Sequence, residues 1–379
     1  MKDKLSSLHT SHSTLVLKHS ALHTKNSQYI SQFEEKVSSS LMNFKGEDLL
    51  LAVSGGADSM AMLAALCVIV PKEKLFCLHV EHGLRPAEES CGDADFVSAY
   101  CKEQGIECNV VHISPGKVAS FARRKGIGIE AAARFFRHRE LFWEAKRLGE
   151  NTCILFAHTK DDLLETALMR VLRGAGPAGL AAMPSIKSIE RGTKKKARIF
   201  RPLLSMSRSD IIEYLQVRNL SWREDSTNTD IQFLRNRIRH LLIPLLNESF
   251  PSWKNGVDAM AKTQSLTAAF ITDEAQARIK WEKNTFYSTN IDNFYMQPLI
   301  IREESLFLAI NELQKGLKNY RSVKRAVVRR FCAGNIIAAD LGPVKIKQEN
   351  GKILLLKAKK EFFESGVSLL IKEPSLDSL

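Results

Sequence analysis

The stretch LLLAVSGGADSM (49–60) has the residues to bind a phosphate through its main chain. An apolar run ends at Ser54, two glycines and an aspartate follow, and Ser59 leads into a second apolar run. Glycine adopts φ > 0 and carries no side chain, so the N–H groups of Gly55 and Gly56 are able to close on an anion. A helix that begins after the loop directs its positive dipole end to the same point. We therefore predict a phosphate cradle here, with both serine hydroxyls as further donors.

Asp58 places a carboxylate in this loop, where it would repel a bare phosphate. A magnesium ion between the two groups resolves that conflict, which makes Asp58 a candidate metal ligand. No GxxxxGK[ST] pattern is present, so the lysine that grips phosphates in common NTPase loops is missing. The alternative is a plain strand-to-helix turn in which Asp58 caps the helix.

A second candidate constellation lies in AHTKDDLLET (157–166). Asp162 and Glu165 are three residues apart, so both carboxylates are able to point the same way from a helix, and two carboxylates suit an ammonium group or magnesium. Acids at a helix N-terminus are also common, which leaves an ordinary structural role open. His158 ends the apolar run CILFAH (153–158), where a structural histidine is again the alternative.

The basic excess of the chain predicts a polyanionic partner. The formal net charge is +13 and the sequence pI is about 9.4. The charge is concentrated in RGTKKKARIFR (191–201), RNRIRH (235–240) and RSVKRAVVRR (321–330). Such clustering favours contact with nucleic-acid phosphates over a basic surface that only maintains solubility. In the second stretch, a basic helix face for RNA is predicted from Arg235, Asn236, Arg237 and Arg239.

Cysteine spacing and hydropathy exclude several classes of protein. The seven cysteines are scattered and include no CxxC pair, which argues against zinc or iron–sulfur ligation and favours reduced thiols in a cytoplasm. The longest apolar run, residues 60–70, is too short to span a bilayer. The first residues do not have the pattern of a secretory signal. We expect a cytoplasmic protein without a membrane partner.

Strand and helix patterns alternate from residue 48 onward and predict how the candidate residues are positioned. Short aliphatic runs occur at 49–53, 75–80, 109–113 and 153–158, and helix-length patterns occur between and after them at 58–70, 88–104, 129–148 and 161–173. This alternation predicts a parallel sheet that is covered by helices on both faces. In the last helix, one apolar face is predicted from Leu163, Leu164, Ala167, Leu168, Val171 and Leu172.

Three regions are predicted along the chain. Residues 1–45 are expected to be a flexible extension that contains a lead-in helix at 28–43, and residues 46–230 the α/β domain. Residues 231–379 are expected to be mainly helical, with a polar loop near 284–293 and a terminal β element. That element consists of VKIKQ and KILLLK, which are separated by a turn at Glu349–Gly351.

The pattern GxGxxG at Gly174–Gly179 does not indicate a dinucleotide site, because it follows a helix pattern rather than a strand and contains a proline. We interpret it as a helix-terminating turn.

SGGADS resembles the SGGxDS pyrophosphate loop of the N-type ATP pyrophosphatases. Further blocks resemble, in the same order, those of the tRNA(Ile)-lysidine synthases within that family: HVEHGLRP, EAAARFFRH, AHTKDDLLET, RGAGPAGLAAM, RPLL and EDSTN…FLRNRIRHLLIPLL. The resemblance covers roughly residues 48–246 and is specific because separate blocks agree in order. It implies a Rossmann-like PP-loop domain of the adenine nucleotide alpha hydrolase type, followed by a mainly helical C-terminal region.

The resemblance also implies an activity. The wobble cytidine (C34) of an isoleucine tRNA with a CAU anticodon would attack ATP through its C2 oxygen, and free L-lysine would then displace AMP from the adenylated base. The products would be lysidine, AMP and pyrophosphate, and codon recognition would change from AUG to AUA. ATP, Mg²⁺, lysine and tRNA are therefore the expected ligands of a ligase.

Residue roles follow from the same resemblance. Asp162 and Glu165 would hold the lysine, Asp58 would hold the metal, and Arg235 would lie near the target cytosine. We therefore expect Asp58, Asp162 and Arg235 to be the catalytic residues. Arg134 would lie near the phosphates, with Arg137 as a close rival. ATP binding is expected from Ser54, Gly55, Gly56, Ala57, Asp58, Ser59, Arg134 and His158.

Two other functions are weighed against this one. A PP-loop tRNA sulfurtransferase needs nucleophilic or cluster-binding cysteines, often paired, and the lack of CxxC argues against it. A non-catalytic nucleotide-binding RNA adaptor would have a degenerate loop, whereas SGGADS, Asp162 and Glu165 are intact. The oligomeric state is not decided by the sequence, and a homodimer is one arrangement that the resemblance allows.

Overall fold

A computed structural model describes residues 27–357 except 43, 45, 85–86, 182, 192–194, 225–233, 315–322 and 343. The strands are β1 (Asp48–Ala52), β2 (Leu75–Glu81), β3 (Glu107–His112), β4 (Thr152–Phe156), β5 (Ile186–Arg191), β6 (Lys195–Phe200), β7 (Glu282–Lys283), β8 (Tyr287–Asn290), β9 (Ala338–Asp340), β10 (Val344–Glu349) and β11 (Lys352–Lys357). The helices are α1 (27–40), α2 (Ala57–Ile69), α3 (Ala87–Gln104), α4 (Lys117–Lys125), α5 (Ile129–Leu148), α6 (Lys160–Leu172), α7 (Pro177–Leu180), α8 (Arg208–Val217), α9 (Leu234–Arg237), α10 (Ile243–Ser249), α11 (Trp253–Arg278), α12 (Ile291–Met296), α13 (Leu299–Leu313) and α14 (Arg325–Cys332).

The chain forms two compact units, and the boundary between them differs from the predicted one at residue 230. The first unit comprises Met1–Met169, Met183–Ile189 and Lys196–Lys254, so it continues past the predicted end of the α/β domain. The second unit comprises Arg170–Ala182, Glu190–Lys195 and Asn255–Leu379. None of the helices in the described residues is both long and apolar enough to span a bilayer.

The first unit is built on the predicted parallel sheet, with strand order β3-β2-β1-β4-β6-β5. The β1–β2, β1–β4, β2–β3 and β4–β6 pairs are all parallel. β1 is central because its aliphatic side chains, such as Leu50 and Leu51, are fully buried on opposite faces of the sheet. The connections after β1 and β4 lead to opposite sides, which creates the switch point where such sheets bind ligands.

Helices cover both faces of this sheet. On one face, Leu141 and Ala145 of α5 pack with Leu50, Leu78 and Ile154 of the strands. On the other face, α1, α2, α3 and α8 contribute to a larger core in which α2 is buried nearly throughout. The predicted strands and helices of residues 48–173 are therefore confirmed. α4, α8 and the neighbouring strands β5 and β6 were not predicted.

The predicted lead-in helix is confirmed as α1, but it is part of the folded unit rather than of an extension. Phe33 and Val37 are buried, and the Phe33 ring stacks on that of Tyr214 with centroids 4.0 Å apart. The Tyr214 hydroxyl also donates to Glu34 Oε1 at 2.9 Å. The expected flexibility therefore does not extend to residues 27–40, and residues 1–26 lie outside the described part.

The second unit contains helices and more sheet than predicted. The terminal β element is confirmed as the antiparallel β10–β11 hairpin, in which Glu349 pairs with Lys352 across the turn. It lies within a five-stranded sheet of order β7-β8-β11-β10-β9. The prediction of a polar loop near 284–293 was wrong, because Tyr287–Asn290 forms strand β8 and helix α12 follows at once. Ser288 and Thr289 of this strand are buried although they are polar, which hid the strand from hydropathy.

Candidate active site

The loop between β1 and α2 has the backbone of a phosphate cradle. Gly55 has φ of 88°, which only glycine adopts without strain, whereas Gly56 is extended at φ −73° and caps α2 with its backbone. The expectation of φ > 0 at both glycines therefore holds for Gly55 alone. Ser59 Oγ accepts from Ser54 N at 3.2 Å and donates to Gly56 O at 2.9 Å, so this hydroxyl braces the loop. No side chain of the loop caps the first turn of α2, which leaves its amides for a ligand.

A cavity of about 810 Å³ opens at this loop, at the carboxyl ends of β1, β2 and β4. Five of the six loop residues line it, together with His158 and Glu165. His79 and Glu81 at the end of β2 line it too. Among the described residues, six carboxylates and four guanidinium groups line the cavity, namely Asp58, Glu81, Asp93, Asp161, Glu165, Glu224, Arg137, Arg208, Arg223 and Arg239. The excess of carboxylates means that an anionic ligand would need an accompanying cation.

Asp58 is paired with Arg208 of α8, a residue that the sequence analysis did not select. Arg208 Nη1 donates to Asp58 Oδ1 at 2.5 Å, and the Arg208 backbone N donates to Asp161 Oδ2 at 2.6 Å. Burial raises the pKa of Asp58, and the Arg208 charge opposes that rise. Asp58 therefore presents a carboxylate to the cavity, and this carboxylate already has a cationic partner in Arg208.

Asp162 and Glu165 are brought together as predicted, and both form ion pairs with arginines of the segment 235–240. Arg235 donates from Nη2 to Asp162 Oδ1 at 2.6 Å and from Nε to Glu165 Oε2 at 2.7 Å. Arg239 Nε donates to Glu165 Oε1 at 2.6 Å. Asp162 Oδ2 also accepts from Thr159 N at 3.0 Å, so Asp162 serves as a helix cap as well. The structural alternative that the sequence left open for Asp162 is therefore present beside the predicted site role.

The predicted apolar face of α6 was partly wrong. Glu165 is only 1% exposed and is buried beside Leu164 and Ala167, whereas Val171 and Leu172 are 47% and 61% exposed. The pairing with Arg235 and Arg239 is what makes a buried carboxylate tolerable on this helix. In the same basic segment Arg237 is exposed.

A cluster of cationic and imidazole groups includes Arg137 and His158, which line the cavity. Burial and the charges of nearby arginines lower the pKa of His158 to about 4 and that of His138 to about 3, so both rings are neutral at pH 7. Arg137 lines the cavity, and burial lowers its pKa to about 10, whereas Arg134 is exposed and is not among the lining residues. The structure therefore places the rival Arg137, rather than Arg134, at the cavity.

Several buried nitrogen atoms of this cluster have no hydrogen-bond partner within the part of the chain that the structure describes. They are Arg137 Nε, Arg201 Nε, His138 Nε2 and His158 Nδ1. Buried polar atoms without partners are costly in a folded protein. The two arginine Nε atoms donate only, whereas each imidazole nitrogen donates or accepts according to its tautomer, so a polar ligand would offset that cost here.

Arg223 is a further residue that the sequence analysis did not select. Its backbone N donates to Gly55 O at 2.9 Å, and its Nε donates to Asp93 Oδ1 at 3.0 Å. A Cβ at Gly92 in α3 would lie 2.9 Å from Arg223 Nη2, so the missing side chain leaves room for the guanidinium group. The sequence near this site contained one sign of the arrangement, which is Gly92 inside a helix. Glycine is unfavourable there unless another group needs the space.

The turn at Gly174–Gly179 is confirmed as the end of a helix. Gly174 has φ of 67° and its N–H bonds Val171 O at 3.0 Å, directly after α6 ends. A short helix, α7, follows, and no residue of the turn is among the cavity-lining residues.

Comparison with known proteins adds to this geometry. Residues 29–246 match the family model of the PP-loop domain. The chain is 39% identical over 236 residues to the tRNA(Ile)-lysidine synthase of Treponema denticola, covering 62% of this chain and 49% of that protein. It is 30% identical over 281 residues to the tRNA(Ile)-lysidine synthase of Bacillus subtilis, covering 73% of this chain and 57% of that protein. The chain thus spans about half the length of these relatives.

Among solved structures, the chain is similar to the U34-tRNA thiolase NcsA from Methanococcus maripaludis. The TM-score is 0.51 with 17% sequence identity, and the match covers 64% of this chain and 80% of that chain. At this identity the likeness extends to the fold alone.

The Gly92–Arg223 arrangement generates a prediction. Gly92→Ala should weaken binding of a non-hydrolysable ATP analogue about tenfold in calorimetry, because the new methyl group displaces the Arg223 guanidinium group, a cation that lines the cavity beside the SGGADS loop. Stability should not fall, since alanine is favoured over glycine in a helix by about 0.5–1 kcal/mol.

Gly256→Ala is the matched control, because Gly256 lies within α11 and nothing approaches its Cβ position within 4 Å. It should stabilise the protein and leave ATP affinity unchanged. Wild-type ATP affinity in Gly92→Ala would show that the position of Arg223 does not matter for the nucleotide.

Proposed function

We propose, from the premise that this chain belongs to the PP-loop family, that it is an ATP-dependent tRNA ligase. It joins lysine to C2 of the wobble cytidine C34 in the isoleucine tRNA with a CAU anticodon, and releases AMP and pyrophosphate. Lysidine at this position changes codon recognition from AUG to AUA. The observation that carries the proposal is that one cavity is lined by the SGGADS loop, by Glu165 and by Arg239 and His240 of the basic segment, while Arg235 of that segment joins Glu165 to Asp162. The names of the relatives support the same activity.

Magnesium fits the residues present at the loop. Mg²⁺ is bound in nucleotide sites by one or two carboxylates together with phosphate oxygens, and Asp58 offers a carboxylate that is 33% exposed and already takes a cationic partner. When bound there, Mg²⁺ would neutralise charge on the leaving pyrophosphate. Arg208 would then leave Asp58 and donate its hydrogen bonds to a phosphate oxygen instead. Its exposed guanidinium group is free to make that move.

The first chemical step is adenylation of the cytidine. The C2 oxygen attacks the α-phosphate of ATP and pyrophosphate leaves. The amides of Gly55 and Gly56 and the N-terminus of α2 stabilise the charge that develops on the leaving group. Neutral His158 contacts the nucleotide without adding charge, and Arg137 contributes the positive charge beside it.

The second step is attack by the lysine amine. Lysine arrives as an ammonium group, which has no lone pair, so it must first give up a proton to a carboxylate of the pair that holds it; the amine then attacks C2 and AMP leaves with the electrons of the broken C2–O bond. Asp162 and Glu165 hold the amine in exchange for Arg235, whose side chain is 29% exposed and therefore has a path out of the carboxylate pair. Arg235 then turns toward the cytosine. This exchange couples lysine entry to the placement of a catalytic residue.

The tRNA reaches the site through the basic segment. The exposed Arg237 and the neighbouring Asn236 and Arg239 contact the RNA backbone, while the wobble base is splayed into the cavity, as single-stranded bases usually are when proteins read them. A homodimeric assembly and a cytoplasmic location stay predictions from the sequence.

A single assay tests the proposal against its alternatives. The protein is incubated with ATP, Mg²⁺, the CAU-anticodon isoleucine tRNA and radiolabelled lysine, and the modified nucleoside is identified by mass analysis. Label in C34 supports the ligase. ATP cleavage without lysine incorporation points to a sulfurtransferase or another PP-loop activity. Absence of ATP cleavage points to a non-catalytic adaptor.

We predict that Asp58→Asn lowers the rate of pyrophosphate release by a factor of about 10² to 10³ and raises the Mg²⁺ concentration needed for half-maximal rate. The fold should persist, because an ion pair whose arginine is half exposed, such as Asp58–Arg208, contributes little to stability.

Arg208→Lys is the comparison for this variant. It should slow the reaction without changing the Mg²⁺ dependence. If Asp58→Asn leaves the Mg²⁺ dependence as in the wild type, Asp58 does not hold the metal.

We predict that Glu165→Gln raises the KM for lysine at least tenfold and the KM for ATP less than twofold, because the uncharged amide is a poor partner for an amine. The glutamine keeps the shape of the buried side chain, whereas alanine would leave Arg235 and Arg239 without their partner.

Glu248→Gln in α10 removes an exposed charge from the same unit and should change neither constant. Equal increases in both KM values for Glu165→Gln would assign Glu165 to anchoring the arginines rather than to binding lysine.

A further inference from the structure

Three cysteine side chains converge at the edge of the parallel sheet, on the side of α3. Cys77 lies on β2, Cys101 on α3 and Cys108 on β3, and their Sγ atoms all lie within 4.8 Å of one another. Cys77 and Cys108 are register partners on the two neighbouring strands. The absence of a CxxC pair had argued against thiol ligation of a metal, but that criterion does not detect cysteines that are distant in sequence and that the fold brings together. No residue of the group lines the cavity of the candidate active site.

The spacing of the sulfur atoms suits a metal ion. Tetrahedral zinc with Zn–S bonds of about 2.3 Å places its thiolates about 3.8 Å apart, so small side-chain rotations would close the group on an ion. The three ligands come from three different elements, which is the arrangement that fixes an ion rigidly. Among the described residues, this is the one group of three potential ligand side chains whose donor atoms meet so closely.

Access and the fourth coordination position are also present. Cys77 and Cys101 are buried, whereas Cys108 lies on the edge strand and is partly exposed, which provides an entry path. Ser98, one turn before Cys101 on α3, faces Cys108 and offers a hydroxyl oxygen. A site with three thiolates and one open or oxygen-filled position is typical of a thiophilic ion that stays accessible.

The three thiols also contact one another, as groups that could close on one ion must do. Hydrogen bonds link Cys108 to Cys101 and Cys77. The neighbouring His79 is bonded through Nδ1 to Val53 O at 3.0 Å, and burial lowers its pKa, so it places no positive charge beside the group.

We propose that Cys77, Cys101 and Cys108 form a binding site for one thiophilic divalent cation of the zinc class. Binding releases the remaining thiol protons to solvent and needs no oxidant, because the sulfur atoms stay at the same oxidation level. The ion ties β2 and β3 to α3, and α3 carries Asp93, the partner of Arg223 at the nucleotide loop. The site is independent of the proposed ligase activity.

The test uses the full-length chain, purified with a reductant and freed of metal with a chelator. Zn²⁺ uptake is measured by equilibrium dialysis with elemental analysis, and Co²⁺ is used as a spectroscopic probe of thiolate ligation. We expect about one equivalent of Zn²⁺, a thiolate-to-Co²⁺ charge-transfer band, and a rise in Tm of about 5 to 10 °C at a hundredfold excess over Kd.

Cys108→Ser should abolish the band and the Tm rise while the protein stays folded, because this side chain is partly exposed at the sheet edge. Cys153→Ser is the matched control, since Cys153 is a buried cysteine on β4 of the same sheet that lies outside the group, and it should bind Zn²⁺ as the wild type does. Circular dichroism checks the fold of each variant.

Three results would overturn the proposal. The first is no Zn²⁺ uptake by the reduced wild-type protein, which would mark the thiols as core packing. The second is equal uptake by Cys108→Ser, which would place the ion elsewhere. The third is a protein mass that is lower by two hydrogen atoms even after purification with the reductant, together with no Zn²⁺ uptake. This would show that two of these cysteines form a disulfide instead.

Discussion

Burial of the Glu165 carboxylate is the constraint on which the candidate site depends. The side chain is 1% exposed, and a buried charge without a partner would destabilise the fold strongly. Arg235 and Arg239 supply the compensation, and both come from one short basic segment. That segment is therefore held against α6 by electrostatics. The same carboxylates that suit a lysine amine also position the residues that suit RNA, so the two halves of the proposed reaction share one set of charges.

Two other carboxylates of the cavity are also paired with arginines, but these ion pairs are more exposed to solvent. Asp58 pairs with Arg208 and Asp93 with Arg223, but both arginines are about half exposed, at 50% and 49%. Ion pairs with one exposed partner contribute little stability. A cationic ligand is thus able to replace such an arginine with little loss of folding free energy. Glu165 is different, because both of its oxygens are held and water does not reach it. The cavity therefore combines solvent-exposed ion pairs near the SGGADS loop with a buried carboxylate that always needs a cationic partner, either an arginine or, in the proposed reaction, the lysine amine.

Much of the α/β domain was predictable, because its signals are local. Aliphatic runs that alternate with helix-length patterns identified β1 to β4 and the helices between them except α4, and the backbone of the SGGADS loop is set in part by Gly55, whose φ is 88°. What was missed depends on distant partners. Arg208 and Arg223 gain their roles from carboxylates 150 and 130 residues away in the chain. Strand β8 was missed because its buried residues are polar. In each case the pattern within the segment is that of an ordinary surface or loop.

Glu165 shows most clearly why side-chain roles are harder to predict than backbone roles. A helical wheel of α6 gives a continuous apolar face that ends in Val171 and Leu172, yet these two are exposed and the glutamate is buried. The reversal is stable only because guanidinium groups from residues 70 and 74 positions later neutralise the carboxylate. A window of ten or twenty residues contains no trace of that compensation. The backbone of the SGGADS loop was easier to predict, because the φ of 88° at Gly55 and the hydrogen bonds of Ser59 to Ser54 N and Gly56 O arise within the loop itself. Motifs that act through the main chain are therefore predictable from short sequences, whereas charged side chains in this cavity acquire their chemistry only when the fold brings their counter-charges together.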